Sequence, residues 1–328
     1  MRVGIVGCGL IGQKRAKALA GAHLTMCADV VMDRAAALAK TAKAEATDDW
    51  QKLVTSPHVD VVVVATRHDV LAPITRAAID NGKHVLVEKP AARHTTELAG
   101  LADAAKQKKV CVRVGFNHRY HRAFQKARQI VDSGALGEMM FIRARYGHGG
   151  RVGYDKEWRA DPALSGGGEL IDQGVHLIDL AGWFLGNFPH VDGFAHTYFW
   201  QMPVDDNGFM ILRTEKNQVA FLHASCTEWK NTFSFEMYGR TGKLHIEGLG
   251  GSYGVERLTH YAMQPEMGPP PTEAWEYPMA DNSWDVEMAE FLADIQQGRT
   301  PAAGLAEAEA ALTVVQKIYE RSGYDHRP

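Results

Sequence analysis

The hexapeptide Gly7-Cys8-Gly9-Leu10-Ile11-Gly12 follows a short apolar run, residues 2–6, and opens a segment of helical pattern. Glycines at that spacing between a strand and a helix constrain the fold strongly. The first allows a tight turn, the second lets the backbone approach a bound group, and the third lets the helix pack close to the strand. A helix that starts here presents N–H groups and a partial positive charge, which suit a pyrophosphate. Dinucleotide contact is therefore expected at Gly7, Gly9, Leu10, Ile11 and Gly12.

Up to about residue 120 strands and helices alternate. Strand patterns at 23–29, 59–65, 84–88 and 110–115 are separated by helical patterns at 32–43, 71–81 and 95–108. The rhythm predicts a doubly wound parallel sheet with right-handed crossovers. Beyond residue 120 it changes to helical patterns at 123–133 and 169–185 and a series of strand patterns between 139 and 261. Turn signals fall at Lys216-Asn217 and Thr241-Gly242, and helices at 283–297 and 304–321 close the chain. The expected class is α/β: a dinucleotide-binding domain over 1–120, then a mixed α/β domain over 121–328 with a large, mostly antiparallel open sheet. One face of that sheet needs cover, and a homodimer or homotetramer built through it is the economical answer.

Asp29 ends the second strand about 20 residues past the glycines, where a carboxylate accepts hydrogen bonds from the adenosine ribose and repels a 2′-phosphate. This favours NAD over NADP, with Arg34 close behind as the alternative phosphate partner. The formal net charge of −3 gives no electrostatic case for nucleic acid or an acidic membrane as partner. No apolar run approaches the ~20 residues of a membrane helix. Cys8, Cys27, Cys111 and Cys226 form no CxxC pair and read as buried thiols of a reducing compartment, so a cytoplasmic location is expected.

Val85-Leu86-Val87-Glu88-Lys89-Pro90 makes the sequence more specific. Together with the glycine loop it resembles the Gfo/Idh/MocA family, named after glucose–fructose oxidoreductase, inositol dehydrogenase and a rhizopine-catabolism protein. The run from Gly166-Gly167-Gly168 to Asp172-Gln173-Gly174-Val175-His176 is similar to that family's glycine run and D-x-G-x-H, and 115–120 to its segment between domains. Where many members carry a histidine after the third strand, this chain has Leu71, with His68 just before it. The resemblance implies a Rossmann domain followed by an open-sheet domain, and NAD(P)-linked chemistry on sugars, inositols or nucleotide sugars. It also implies catalysis by Lys89, Asp172 and His176, cofactor contacts at Thr66, His68, Glu88 and Lys89, and substrate contacts around Asn117 and Arg119.

Those residue types suit alcohol oxidation. A base must take the hydroxyl proton as hydride leaves carbon, and a donor must stabilise the charge growing on oxygen. His176 is the natural base, since an imidazole ordinarily titrates near working pH, and Lys89 supplies a positive donor at the carboxyl end of a sheet strand. On a regular helix Asp172, His176 and Asp179 share one face. Asp172 can orient His176, hold Lys89 charged or bind a second substrate hydroxyl. The scheme requires the strand ending at Glu88 and the helix bearing Asp172 and His176 to converge beside the nicotinamide. His118, His121 and His148 suggest a metal set, but no carboxylate or cysteine stands at matching spacing and none is expected.

Residues 145–159 hold the substrate clue. Arg145, Arg151, Lys156 and Arg159 cluster in a glycine-rich stretch with Tyr154 and Trp158, and such cations suit a diphosphate. The stretch also resembles family members that act on nucleotide-linked amino sugars. The expected reaction is NAD-dependent oxidation of a nucleotide sugar such as UDP-GlcNAc at C3, with Arg151, Tyr154, Trp158 and Arg159 in the substrate site. Alternatives are an inositol or free-sugar dehydrogenase, an NAD-retaining glycosidase and a non-catalytic dinucleotide sensor.

Overall fold

The computed structural model describes residues 1–266 and 268–324. They form two compact units, one of Met1–Asn117 with Trp284–Glu309, the other of His118–Ser283 with the described residues from 310 to 324.

The first unit holds strands β1 (Arg2–Val6), β2 (His23–Ala28), β3 (Glu45–Thr47), β4 (Val61–Val64), β5 (His84–Glu88) and β6 (Val112–Gly115). They pair in parallel in the order β3-β2-β1-β4-β5-β6. The strand order reverses at β1, so the glycine loop lies at the topological switch point where open α/β sheets bind ligands. Strand β3 has three residues, too few to show a periodicity. The helical pattern at 95–108 is split into a turn at Thr95–Leu98 and a helix at Leu101–Lys108, with Gly100 between them in the left-handed region at φ 72°.

Val3, Ile5, Val61, Val63 and Leu86 make the core of this unit, and Met288 and Phe291 join them from the helix Ser283–Gln297. That helix was expected in the second domain. Its apolar face instead belongs to the first unit's core, and two buried ion pairs fasten it there. Arg15 reaches Glu88 at 2.7 Å and Glu287 at 2.5 Å, and Arg113 reaches Asp294 at 2.5 Å. The ring of Trp284 lies 4.4 Å from the Arg15 guanidinium.

The second unit is built on β7 (Met139–Gly147), β8 (His190–His196), β9 (Asn207–Arg213), β10 (Val219–Ser225), β11 (Thr232–Gly239), β12 (Gly242–Glu247), β13 (Glu256–Ala262) and β14 (Thr272–Tyr277). The sheet order is β14-β13-β12-β11-β7-β10-β9-β8, antiparallel except where β10 runs parallel to β7. The edge strand β14 was not anticipated; mostly exposed, it carries no apolar stripe. Along β7, Ile142, Ala144 and Tyr146 are buried while Phe141, Arg143 and Arg145 are exposed, the period-2 pattern of a sheet covered on one face. The helices Arg122–Asp132 and Val175–Leu185 pack on this sheet. The exposed residues include Phe141, Phe194, Ile211 and Phe221.

The stretch 169–185 is not one regular helix. Leu170–Gly174 forms a π-helical turn, and the α-helix begins at Val175. Ahead of it the chain passes close to residue 205: a Cβ on Gly168 would lie 1.8 Å from the Asp205 carbonyl oxygen. The buried Asp205 carboxylate accepts N–H groups from Gly168 at 2.9 Å and Leu170 at 2.8 Å, and the Tyr319 hydroxyl at 2.6 Å. Among the described residues no helix is long and apolar enough to cross a membrane, and all four cysteines are free thiols.

Candidate active site

In the first unit the glycine loop has the geometry its sequence asks for. Gly7 has φ +91°, and a Cβ there would lie 2.3 Å from the Ala65 carbonyl oxygen. At Gly12 a Cβ would lie 1.9 Å from the Gly7 carbonyl oxygen, so the close strand–helix approach depends on that glycine. Above Gly9 there is open space, and the helix Leu10–Lys17 starts without a side-chain cap. Leu10 is exposed and Ile11 half-buried. Asp29 is half-buried; its carboxylate accepts the Cys8 N–H at 2.8 Å and the Val31 N–H at 2.9 Å. Val30 and Val31 stand exposed beside it, apolar residues where strand β2 ends. Sequence reasoning passed over this rim, although two valines directly after the acidic residue were the signal. Arg34 is exposed on the helix Met32–Ala42.

Thr66, half-buried, follows β4, and the buried His68 opens the turn His68–Val70. Lys89 is half-buried at the end of β5 and joined to Pro90 by a cis peptide bond. Glu88, an expected cofactor contact, pairs its carboxylate with the buried Arg15. Asn117 is buried at the start of the turn Asn117–Tyr120.

The second unit gathers the other candidates around the π turn. Asp172 accepts the Arg159 Nε–H at 2.9 Å, and Asp179 accepts Arg119 at 2.8 and 2.6 Å. The π turn breaks the regular helical face expected for Asp172, His176 and Asp179, and each aspartate has its own arginine. His176 is buried and stacks on His118, with ring centroids 3.7 Å apart and planes 20° from parallel. No sequence window signals this stack, because the two residues lie on different elements.

Several tyrosines and one histidine feel the carboxylates here. Burial, then contact with Tyr253, then the charges of Glu169 and Asp172 hold the Tyr146 phenol well above its ordinary range. Tyr253 is pushed up to about 12, mainly by burial. Both phenols therefore stay neutral O–H donors. Burial lowers His148, but its hydrogen bond to Glu169 and the charges of Glu169 and Asp172 outweigh that and raise it. Arg159 is raised first by the charge of Asp172. His121 Nδ1 lies 2.9 Å from Glu256 and His148 Nε2 lies 3.5 Å from Glu169. Among the described residues no three His, Cys, Asp or Glu side chains group as a metal ion would need.

The cluster of cations expected at 145–159 does not form as one array. Arg145 alternates with the inward Tyr146 on β7 and faces the other side of the sheet. Arg151 is exposed and pairs with Glu157 at 2.6 Å, and Lys156 is exposed. Only Arg159 turns toward Asp172, with its guanidinium 4.6 Å from the half-buried Trp158 ring. Tyr154 is buried, its hydroxyl 3.5 Å from Glu169.

Comparison with known proteins is decisive at the level of the family. The family model described as the oxidoreductase family's NAD-binding Rossmann fold matches residues 1–116, and that of the GFO/IDH/MocA C-terminal domain matches 124–245. The chain belongs to the Gfo/Idh/MocA family. Among curated Gfo/Idh/MocA relatives, levoglucosan dehydrogenase of Pseudarthrobacter phenanthrenivorans is 29% identical over 65% of this chain, and the match spans 58% of that protein. The dTDP-3,4-didehydro-2,6-dideoxy-alpha-D-glucose 3-reductase of Streptomyces violaceoruber is 28% identical over 75% of this chain and 72% of its own length. A solved structure of levoglucosan dehydrogenase in complex with NADH and levoglucosan superposes with a TM-score of 0.89 at 23% identity. It covers 98% of this chain and 97% of that one, a likeness of fold. The residues present fit NAD: Gly9 leaves room for a pyrophosphate, the helix behind it is uncapped, and the Asp29 carboxylate stands at the end of β2.

Proposed function

We propose that this chain is an NAD-dependent dehydrogenase that oxidises a secondary hydroxyl of a sugar or polyol, with Lys89, Asp172 and His176 as its catalytic groups. The observation that carries the proposal is the buried, polar surrounding of His176: an imidazole held by a stacked ring, with Asp172 on the preceding turn tied to Arg159. The chemistry a bound NAD⁺ supplies is that of a hydride acceptor. Gly9 and the N–H groups opening the helix Leu10–Lys17 would hold its pyrophosphate, and Asp29 its adenosine ribose. His176 takes the proton from the substrate hydroxyl, and the Lys89 ammonium donates to the oxygen as its negative charge grows. Asp172, hydrogen-bonded to Arg159, accepts a second substrate hydroxyl.

A neutral substrate suits this site. Arg159 and Arg151 already pair with Asp172 and Glu157, and Arg145 faces away. Levoglucosan, the substrate named for one relative, is a neutral sugar. A nucleotide sugar such as UDP-GlcNAc oxidised at C3 is the second reading. It is favoured by the exposed Arg151 and Lys156 and by the relative that reduces a dTDP-sugar.

The test is NADH formation across levoglucosan, inositols, free hexoses and UDP-GlcNAc. Net NADH with a neutral polyol is expected, with kcat/KM lowered on the order of 10²–10⁴-fold in Lys89→Ala and His176→Ala. Preference for UDP-GlcNAc selects the second reading. Sugar release without NADH rejects both, and near-normal rates in the two variants reject the catalytic assignment.

A further inference from the structure

The His118 ring lies face to face with His176, and the proposed chemistry gives it no part beyond that contact. Both residues are buried, and the centroid separation of 3.7 Å with planes at 20° is full face-to-face contact. His118 is held from several sides. Its ring meets Tyr146 edge-on at 5.3 Å, Phe233 at 6.4 Å and His121 at 5.6 Å. His121 is itself fixed by Glu256, whose other oxygen accepts the Ala123 N–H at 2.6 Å. The stack is therefore a built feature of the turn Asn117–Tyr120 against the helix Val175–Leu185.

Two imidazoles in that arrangement cannot both carry a proton easily. Like charges at such a separation set the second protonation below the first by on the order of one to three pH units, even at a high effective dielectric. A neutral ring over a charged one is, by contrast, attractive. The charged groups on the neighbouring turns have partners of their own. Asp172 faces Arg159 and Asp179 faces Arg119. Tyr146 on β7 stays a neutral phenol. Strand β10, which the helix also packs on, turns Ala220, Leu222 and Ala224 inward.

We infer that His118 is a positioning residue for His176: it fixes the plane of the base and disfavours protonation of both rings at once, so that when substrate meets the unprotonated pair, His176 takes the hydroxyl proton against a neutral ring that steadies it. The inference rests on His176 being the base.

The experiment compares wild type with His118→Phe, which keeps a stacked ring without a titrating group, and His118→Ala, which removes the ring. Imidazole titrations are followed by NMR on the histidine-labelled protein, and the pH dependence of kcat/KM on the best sugar of the screen. In the wild type the two rings should titrate as a coupled pair. His118→Phe should move the His176 titration and the acid limb of kcat/KM together by at least about half a pH unit while kcat stays within about threefold. His118→Ala should lower kcat by about tenfold or more, because the base loses its orientation. Independent titrations of the two rings, or an unmoved His176 titration in His118→Phe, would overturn the coupling. Equal loss of kcat in the two variants would overturn the stacking role. If no sugar is oxidised, the NMR titration still decides the coupling, and the failure falls on the proposed activity alone.

Discussion

Replacing Tyr319 by Phe should weaken the protein in a pH-dependent way that can be worked out from the contacts. The Tyr319 hydroxyl donates to the Asp205 carboxylate at 2.6 Å and accepts the Gly168 N–H at 3.1 Å. Gly168 keeps its bond to Asp205 in the variant, so the main loss is one charge-assisted hydrogen bond, about 1.5–3 kcal/mol. Asp205 is fully buried, and burial raises its pKa to about 6, with the Tyr319 hydroxyl and the Leu170 and Gly168 N–H groups pulling it back down. A folded-state pKa above the unfolded one means that the group's contribution to stability is full below about pH 4 and is lost as pH rises through about 6. Without the tyrosine donor the folded pKa rises by roughly one to two further pH units, since each unit corresponds to about 1.4 kcal/mol. The variant therefore continues to lose stability above the pH at which the wild type has levelled off. Urea denaturation at pH 5 and pH 8 should show a destabilisation of about 2–3 kcal/mol at pH 8 and about 1–2 kcal/mol less at pH 5. A loss that is equal at the two pH values, or larger at pH 5, would refute this account of Asp205.

Asp29→Asn keeps the shape of the side chain at the end of β2 but removes the charge proposed to repel a 2′-phosphate. The ratio of kcat/KM for NAD over NADP should fall by about tenfold or more, and an unchanged ratio would mean that selectivity lies elsewhere. Arg15→Met leaves Glu88 and Glu287 buried without their cation, which should cost about 3–5 kcal/mol in urea denaturation. A loss under about 1 kcal/mol would show the pair to be dispensable. On the large sheet, Ile211 and Phe221 are register partners on β9 and β10, both exposed. We propose that this face meets a second copy of the chain, so Phe221→Lys should shift light-scattering mass from dimer or tetramer toward monomer, while a monomeric wild type would reject the interface.

The first unit was legible because its signals are local. The glycine loop, the β-branched run at 61–64 and the alternation of strand and helix each sit within one short window, and the observed strand order follows from them. What escaped was either too short to have a period, as β3, or settled by distant partners. The helix at 283–297 sits in the first unit because Met288, Phe291, Glu287 and Asp294 find complements some 180 to 270 residues earlier, at Arg15 and Arg113 among others. No window of sequence contains both halves of such a contact.

The same distinction explains what could be read of the candidate site. Residue types at 172 and 176 showed which chemistry to look for, but the assumption of a regular helix put Asp172, His176 and Asp179 on one stripe. The π turn at Leu170–Gly174 shifts the register between the two aspartates. Its position follows from Asp205, which gathers the Gly168 and Leu170 N–H groups and is in turn bonded by Tyr319 from the C-terminal helix. Insertions of this kind recur at functional sites because they re-aim one or two side chains without dismantling the helix. Here the turn lets Asp172 meet Arg159 while His176, on the regular helix beyond it, lies flat against His118. The separation of those two partners is the physical basis for giving the aspartate and the histidine different roles.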